Sequence, residues 1–481
     1  MKLRRPYALL LLVFAASRAC YYALGVRFDA RPLNNFFQFV DPDLLNHRLL
    51  ESLFYLHIQP PGMNLFAGIV LKLFPHTYAA AFHSAYLLLG AASCCLIYHL
   101  MRCCCVRDWL AFTLTALFTV SPGVVLFENF LLYEYPVMFL LLTAAAALHR
   151  LSVRADHWAA TIFFAAILCL VLVRNFFHLI YFLAALVVLL AVFRDRRKQV
   201  LLAALGPLLL TCGLYAKNWL LFGPVSSRTW LNMSMNAITA HNLTTQEAES
   251  LIQRGLISRV SRIDTGSPIA LYRPYLTMPA PTGVPVLDQE LTSTGATNFN
   301  NPVFFSIADH YQKDAFSILK NYPVAYLRSL EAAWFTYFLP PSDFLFFDLN
   351  RPRIRALDRF ANIAFFGQFK EVADRKQLRK FAAQGMTIGL VLYTGTYLLV
   401  GIPLLLAWSA WYLVHGLRRS ALDRSTALLL GFIVFNIGYI SAIANFLSSF
   451  ENNRYRFPCD AFFVVLLGIL LERLMARRRP A

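Results

Sequence analysis

Long apolar runs separated by short polar breaks dominate the chain. A helix that crosses a bilayer needs roughly 20 mostly apolar residues. The pattern predicts such runs at Tyr7–Val26, Tyr78–Met101, Trp109–Phe127, Tyr135–Leu151, Trp158–Val173, Phe177–Phe193, Val200–Phe222, Met386–Val414, Thr426–Leu447 and Ala461–Met475. The polar breaks then sort by charge. Basic clusters occur at Lys2, Arg4 and Arg5, at Arg102 and Arg107, at Arg150 and Arg154, at Arg194 to Lys198, at Arg418, Arg419 and Arg424, and at Arg473 with Arg477 to Arg479. With about ten spans these clusters all fall on one side, and cytoplasmic loops are the ones that carry excess Lys and Arg. Both termini are therefore expected in the cytoplasm. The first run has the basic start and small-residue end of a signal peptide, but Arg18 interrupts its apolar core and its removal would spoil the alternation.

Two stretches stay on the other side. The expected organisation is an N-terminal transmembrane region over 1–222 with a first external loop at 27–77, an external domain over 223–385, and a C-terminal transmembrane region over 386–481. The external stretch is first rich in Pro, Asn and Thr, then amphipathic and helical from Val303 to Phe338. The fold class expected is an all-α polytopic membrane protein of about ten helices with a small α-rich domain outside. The chain has no internal repeat, low-complexity tract or heptad pattern.

Composition agrees with this pattern. The chain is 58% hydrophobic and 15% charged, against about 45–50% and about 25% for soluble domains. Its formal charge of +18 would raise nucleic acid as a partner of a soluble protein. Here the cations sit in short loops between apolar runs, so membrane orientation accounts for them and no nucleic-acid partner is expected. The nine cysteines lie in apolar runs or in the basic turn Cys103 to Cys105, and the long external stretch has none, so no disulfide framework is expected. That turn could carry a palmitoyl group, although apolar filler is the plainer reading.

Candidate chemistry concentrates outside. Asp29, Asp41 and Asp43 follow the first span. Asp41 or Asp43 reads either as a helix N-cap or as a carboxylate general base facing a hydroxyl acceptor. His57 and Gln59 precede Pro60-Pro61, a rigid helix entry that would hold both above the bilayer. Glu128 and Glu134 flank Asn129 and Tyr133, Arg174 ends one span, and Lys217 ends another. Glu451, Arg454, Tyr455 and Arg456 open the last. Single cations at helix ends are commonly snorkelling anchors. Several on a face otherwise poor in Lys and Arg suit a lipid phosphate.

Taken in order, these motifs resemble the GT-C glycosyltransferases, in particular bacterial relatives of dolichyl-phosphate-mannose protein mannosyltransferase and of the lipid A aminoarabinose transferase. The matching strings are the acids Asp41 and Asp43, His57-Ile-Gln59-Pro60-Pro61, Lys217-Asn-Trp-Leu-Leu-Phe222-Gly223, and Glu451 to Pro458. The resemblance implies a GT-C-like fold and transfer of a sugar, usually with inversion, from a polyprenyl-phosphate donor to a hydroxyl of a lipid, glycan or protein. It implies that Asp41, Asp43 or Asp29 is the base. His57, Gln59, Glu128, Lys217, Arg454, Tyr455 and Arg456 would bind the donor or acceptor. Two departures stand out: the usual Asp-Glu pair is Asp41-Pro42-Asp43, and Gln59 replaces the Lys common before Pro-Pro. No cofactor is required by the spacing of these residues, although acids near a phosphate could hold Mg²⁺ or Mn²⁺. A transporter or lipid flippase, a polysaccharide ligase or polymerase, and an inactive scaffold are the alternatives. A transporter is disfavoured by the missing repeat and by polar groups confined to one face. With basic, compact termini and no retention signal, the expected site is a bacterial inner membrane.

Overall fold

The computed structural model describes residues 4–154, 156–223, 229–372, 391, 393–448 and 451–477. Helices of ten or more residues are α1 (Arg4–Ala23), α2 (Gly62–Leu73), α3 (Tyr78–Cys103), α4 (Asp108–Val120), α5 (Glu134–Val153), α6 (His157–Val173), α7 (Leu179–Val192), α8 (Arg197–Phe222), α9 (Thr229–Ile238), α10 (Val303–Asn321), α11 (Val324–Tyr337), α12 (Thr396–Arg418), α13 (Arg424–Leu447) and α14 (Asn452–Arg477). The described residues hold no β-strand, only the isolated bridges Asp29–Phe130 and Leu291–Thr297.

Six of these helices are long and apolar enough to cross a membrane: Arg5–Ala23, Tyr78–Cys103, Glu134–Val153, Arg194–Phe222, Thr396–Arg418 and Arg424–Leu447. The protein is thus an all-helical, multi-pass membrane protein. The run expected as one span at Trp109–Phe127 is instead two helices, α4 and Pro122–Glu128, bent by 58°. Pro122 causes the break. Proline bars the preceding residue from helical angles, and Ser121 is extended at φ −63°, ψ 142°. The runs at Trp158–Val173 and Phe177–Phe193 form helices of 17 and 14 residues, short of the roughly 20 that a span needs. Arg174 separates them in an extended conformation. The last helix starts at Asn452, nine residues before the run at Ala461–Met475. The first residues of the run expected from Met386 lie outside the described residues, and α12 begins at Thr396.

α5 is the hub of the bundle. It packs against α3, α6, α13 and α14. Its run of alanines (Ala144 to Ala147) lets neighbouring backbones approach. The basic breaks meet at one end: Arg107 Nε lies 2.8 Å from Glu472, Arg196 donates to the Leu151 carbonyl at 3.2 Å, and Arg424 donates to the Val192 carbonyl.

At the opposite end lie residues 27–77 and most of 229–372. α9 packs on α10, and α11 packs on α13 and α14. The buried side chains Met233, Tyr272, Phe304 and Tyr311 belong to the same apolar core as the bundle. A smaller satellite core gathers Leu243, Leu251, Ile257 and Ile318. Residues 229–372 therefore build onto the helix ends over a shared core.

Candidate functional site

The loop between α1 and α2 is stapled to α2 by Asn64. Its side chain, fully buried, accepts from the Val40 N–H at 2.8 Å and donates to the Gln38 carbonyl at 3.0 Å. Asp41 follows as the N-cap of the short helix Pro42–His47, accepting from the Asp43 N–H at 3.0 Å. The Ser293 hydroxyl donates to that same oxygen, Oδ1, and Oδ2 accepts from the Ser293 N–H at 2.8 Å. Asp41 is 4% exposed, so its carboxylate is occupied by protein donors. Asp43 faces solvent and pairs with His47 at 3.0 Å. Asp29 is buried under Arg31, which donates to it at 2.6 and 2.9 Å and reaches on to Asp348.

His57, Gln59 and Lys217 form a second group. The His57 ring lies 4.8 Å from Phe222 and 4.4 Å from Phe305. Its Nε2–H donates to the Asn300 carbonyl at 2.9 Å, and Asn300 Oδ1 accepts from the His57 backbone N–H. Burial pushes its pKa down to about 3, so the ring is neutral. His57 Nδ1 and Gln59 Nε2 meet no hydrogen-bond partner among the described residues. Gln59 Oε1 accepts from Asn175 at 3.2 Å, and Lys217 Nζ donates to the Leu56 carbonyl at 2.9 Å. These contacts clip the loop to the ends of α6 and α8.

Glu128 lies deeper. It has no solvent exposure, takes two 2.7 Å bonds from Arg18 and one of 2.6 Å from Tyr135. The space is made by Gly90, where a Cβ would stand 2.3 Å from Glu128 Oε2. Arg18, which interrupts the first apolar run, is thus the partner of a buried acid. Arg456 is likewise internal: it pairs with Asp460 at 2.9 Å and donates to the Tyr337 carbonyl.

A third group opens outward. Glu134, fully buried, pairs with Arg174 at 2.6 Å and with Arg454 at 2.7 Å. The second contact, to Nε, lacks hydrogen-bond alignment, so it is an ion pair only. Arg454 also donates to Glu451 at 2.7 Å through Nη1 and to Tyr133 at 3.1 Å through Nη2. The guanidinium groups of both arginines sit 4.9 Å from the Tyr455 ring. Glu134 is thus shared by two arginines, and pairing of this kind lets buried ionised groups tolerate low dielectric.

Arg454, Glu451 and Tyr455 form one wall of a cavity of about 440 Å³. The loop between α1 and α2 contributes Asn35, Phe36 and Phe37, and α9 contributes Trp230 and Met233. Phe37 and Trp230 stack at 4.2 Å. Across from the arginine stand His241 and Asp264, the latter two-thirds exposed. Asn236 Nδ2 lies 3.2 Å from His241 Nε2. The Ile263 carbonyl lies 3.4 Å from the same nitrogen, and Nδ1 lies 3.5 Å from Asp264 Oδ1. The cavity therefore joins aromatic faces, a buried cation and carboxylates.

Of the residues nominated from sequence, Glu451, Arg454 and Tyr455 line this cavity. Asp29, Asp41, Asp43, His57, Gln59, Glu128, Lys217 and Arg456 are not among its lining residues. Most of these polar groups are taken up by donors or acceptors inside the fold. These residues therefore fall into separate groups. His241 and Asp264 carry no motif spacing. Their only signal is lying in the polar stretch after α8. Trp230 lines the cavity, and Tyr272 is buried and bonds Tyr311 at 2.8 Å. Among the described residues no cluster of three His, Cys, Asp or Glu side chains is arranged to hold a metal ion. No family model, curated protein or solved structure matches the chain.

Proposed function

We propose that this chain is a membrane glycosyltransferase that moves a sugar from a polyprenyl-phosphate donor to a hydroxyl acceptor at the non-cytoplasmic face, with inversion. The observation that carries the reading is the cavity of about 440 Å³ where an aromatic wall, the buried guanidinium of Arg454 and the carboxylates of Glu451 and Asp264 meet. Its size falls in the range of small-ligand sites. Aromatic faces such as Phe37, Trp230 and Tyr455 suit the C–H faces of a sugar. A guanidinium suits phosphate oxygens.

In this reading the acceptor hydroxyl enters from the solvent side, where Asp264 is exposed. Asp264 takes the hydroxyl proton, with His241 orienting its carboxylate. The acceptor oxygen bonds to the anomeric carbon as the bond from that carbon to the phosphate oxygen breaks. The departing phosphate carries its negative charge towards Arg454, whose fixed positive charge lowers the barrier without reorganisation. Asp41 serves the framework of the loop. Asp264→Asn in the full-length protein reconstituted with a polyprenyl-phosphate sugar is expected to slow transfer by about 10²–10⁴-fold with an unchanged melting temperature. An unchanged transfer rate would remove Asp264 from the mechanism.

A further inference from the structure

We propose that the groove between α12 and α14, at the basic end of the bundle, holds an anionic phospholipid, with its phosphate on Arg473 and its acyl chains along the two helices.

Helical spacing builds the groove. Trp408, Trp411 and Tyr412 share a face of α12, and Leu470, Arg473 and Leu474 share a face of α14. The two helices pack together, and these six residues line a cavity of about 320 Å³. Trp408 and Tyr412 stack at 5.2 Å, and Trp411 stacks on His415 at 4.9 Å. The Arg473 guanidinium sits 5.3 Å from the Tyr412 ring. Trp and Tyr are enriched where a bilayer meets water, and Glu472, beside Arg473, is the partner of Arg107 among the basic breaks.

Charge favours an anion here. Arg473 is exposed, and among the described residues no carboxylate pairs with it. The acids nearby are engaged. Glu472 holds Arg107 at 2.8 Å. Asp423, whose charge is felt at Tyr412, caps α13 by accepting from the Thr426 N–H at 3.0 Å and from the Ser425 hydroxyl. A phosphodiester therefore meets a guanidinium fork with no competing carboxylate. A zwitterionic headgroup adds an ammonium for which the groove offers no free acid.

The surroundings favour a lipid over a soluble anion. Of the six candidate spans α12 is the least covered by protein, with 11% of its apolar window buried. Leu404 and Val400 continue the groove along α12, and Leu467 continues it along α14, all exposed. A lipid of that leaflet reaches Arg473 with its chains already against these side chains. A soluble phosphate has only the one cation.

The test titrates the full-length protein in detergent with dioleoyl phosphatidylglycerol or dioleoyl phosphatidylcholine and counts bound lipid by native mass spectrometry. The wild type is expected to bind phosphatidylglycerol more tightly, and sn-glycerol 3-phosphate is expected not to displace it. Arg473→Gln is expected to weaken phosphatidylglycerol binding about fivefold, the weight of one cation at a lipid surface, and to leave phosphatidylcholine binding unchanged. Arg194→Gln removes an exposed arginine elsewhere at the same end and is expected to change neither. Equal losses in the two variants would mean diffuse attraction and overturn the groove. Equal binding of the two lipids by the wild type would overturn it too, as would displacement by sn-glycerol 3-phosphate, which marks a site for a soluble anion. Should Arg473→Gln not fold, Leu474→Glu decides. From an exposed position it sets a carboxylate in the groove beside Arg473, and a preference for phosphatidylglycerol that survives it overturns the proposal.

Discussion

Asp41 illustrates what one residue's surroundings decide. Its place before Pro42 fits a helix cap and a general base equally well. The donors of Asp43 and Ser293 assign it to the framework. Asp41→Asn is expected to keep one oxygen for the cap and to lose the charge that two Ser293 donors face. The expected cost is about 1–2 kcal/mol of stability, read as a lowered melting temperature. The transfer rate per folded molecule should stay within a few-fold of wild type. A collapse of that rate at unchanged stability would restore Asp41 as the base and displace Asp264. His57 shows the converse limit. The Pro60-Pro61 string marks it as held rigidly, but the rings of Phe222 and Phe305 that bury it come from residues over a hundred positions away.

At the scale of the element, apolar run length is a good guide where a helix packs as a plain cylinder. α3, α5, α8 and α13 match the expected runs to within a few residues. It fails where a polar contact or a proline intervenes. Pro122 divides one run, and Gly123 then lets the turn press on Pro341, whose Cβ would stand 2.9 Å from an added methyl group. Arg174 ends α6 where its guanidinium reaches Glu134. The start of α14 moves back to Asn452 because its polar residues pair inside the fold: Asn452 with the Ala444 carbonyl at 2.7 Å, Arg454 with two acids. The loop between α1 and α2 depends on Asn64 in the same way. Asn64→Ala leaves the Val40 N–H and the Gln38 carbonyl unpaired in a buried place, at about 1–3 kcal/mol. Amide hydrogen exchange over 36–41 is expected to quicken while exchange in α5 stays as it was. Equal protection in that loop would mean that Asn64 does not hold it.

Over the whole molecule, the charge pattern along the chain reappears as two ends of different character. One end gathers the basic breaks, and the other carries the loop between α1 and α2, helices α9 to α11 and the cavity. Near that second end lies a buried acidic pair around Arg351. Asp343 and Asp358 both pair with Arg351, and Glu371 stands close enough to raise the Asp343 pKa. Burial, with help from Asp358 and Glu371 and against Arg351 and Gln368, pushes Asp343 up from 3.8 to about 6. The folded state therefore holds this proton more tightly than the unfolded state does. Its contribution to stability is complete below about pH 4 and is lost as pH rises through about 6. The loss is at most about 3 kcal/mol for a shift of this size. The melting temperature is expected to fall between pH 4 and pH 7 and then level off. Asp343→Asn should flatten that part of the curve, and an unaltered slope in the variant would assign it to other groups.

The periodicity and charge of the chain by themselves determined that it is a helical membrane protein and where α3, α5, α8 and α13 lie. These depend on water, lipid and local backbone bonding, which act on each segment separately. Tertiary structure alone decided which ionised groups are spent inside the fold and which face a cavity. That outcome depends on partners far apart in sequence, such as Glu128 with Arg18, Asp41 with Ser293, and Glu134 with Arg174 and Arg454. A buried charge must find a counter-charge wherever the packing puts one, and no local pattern says which one that will be.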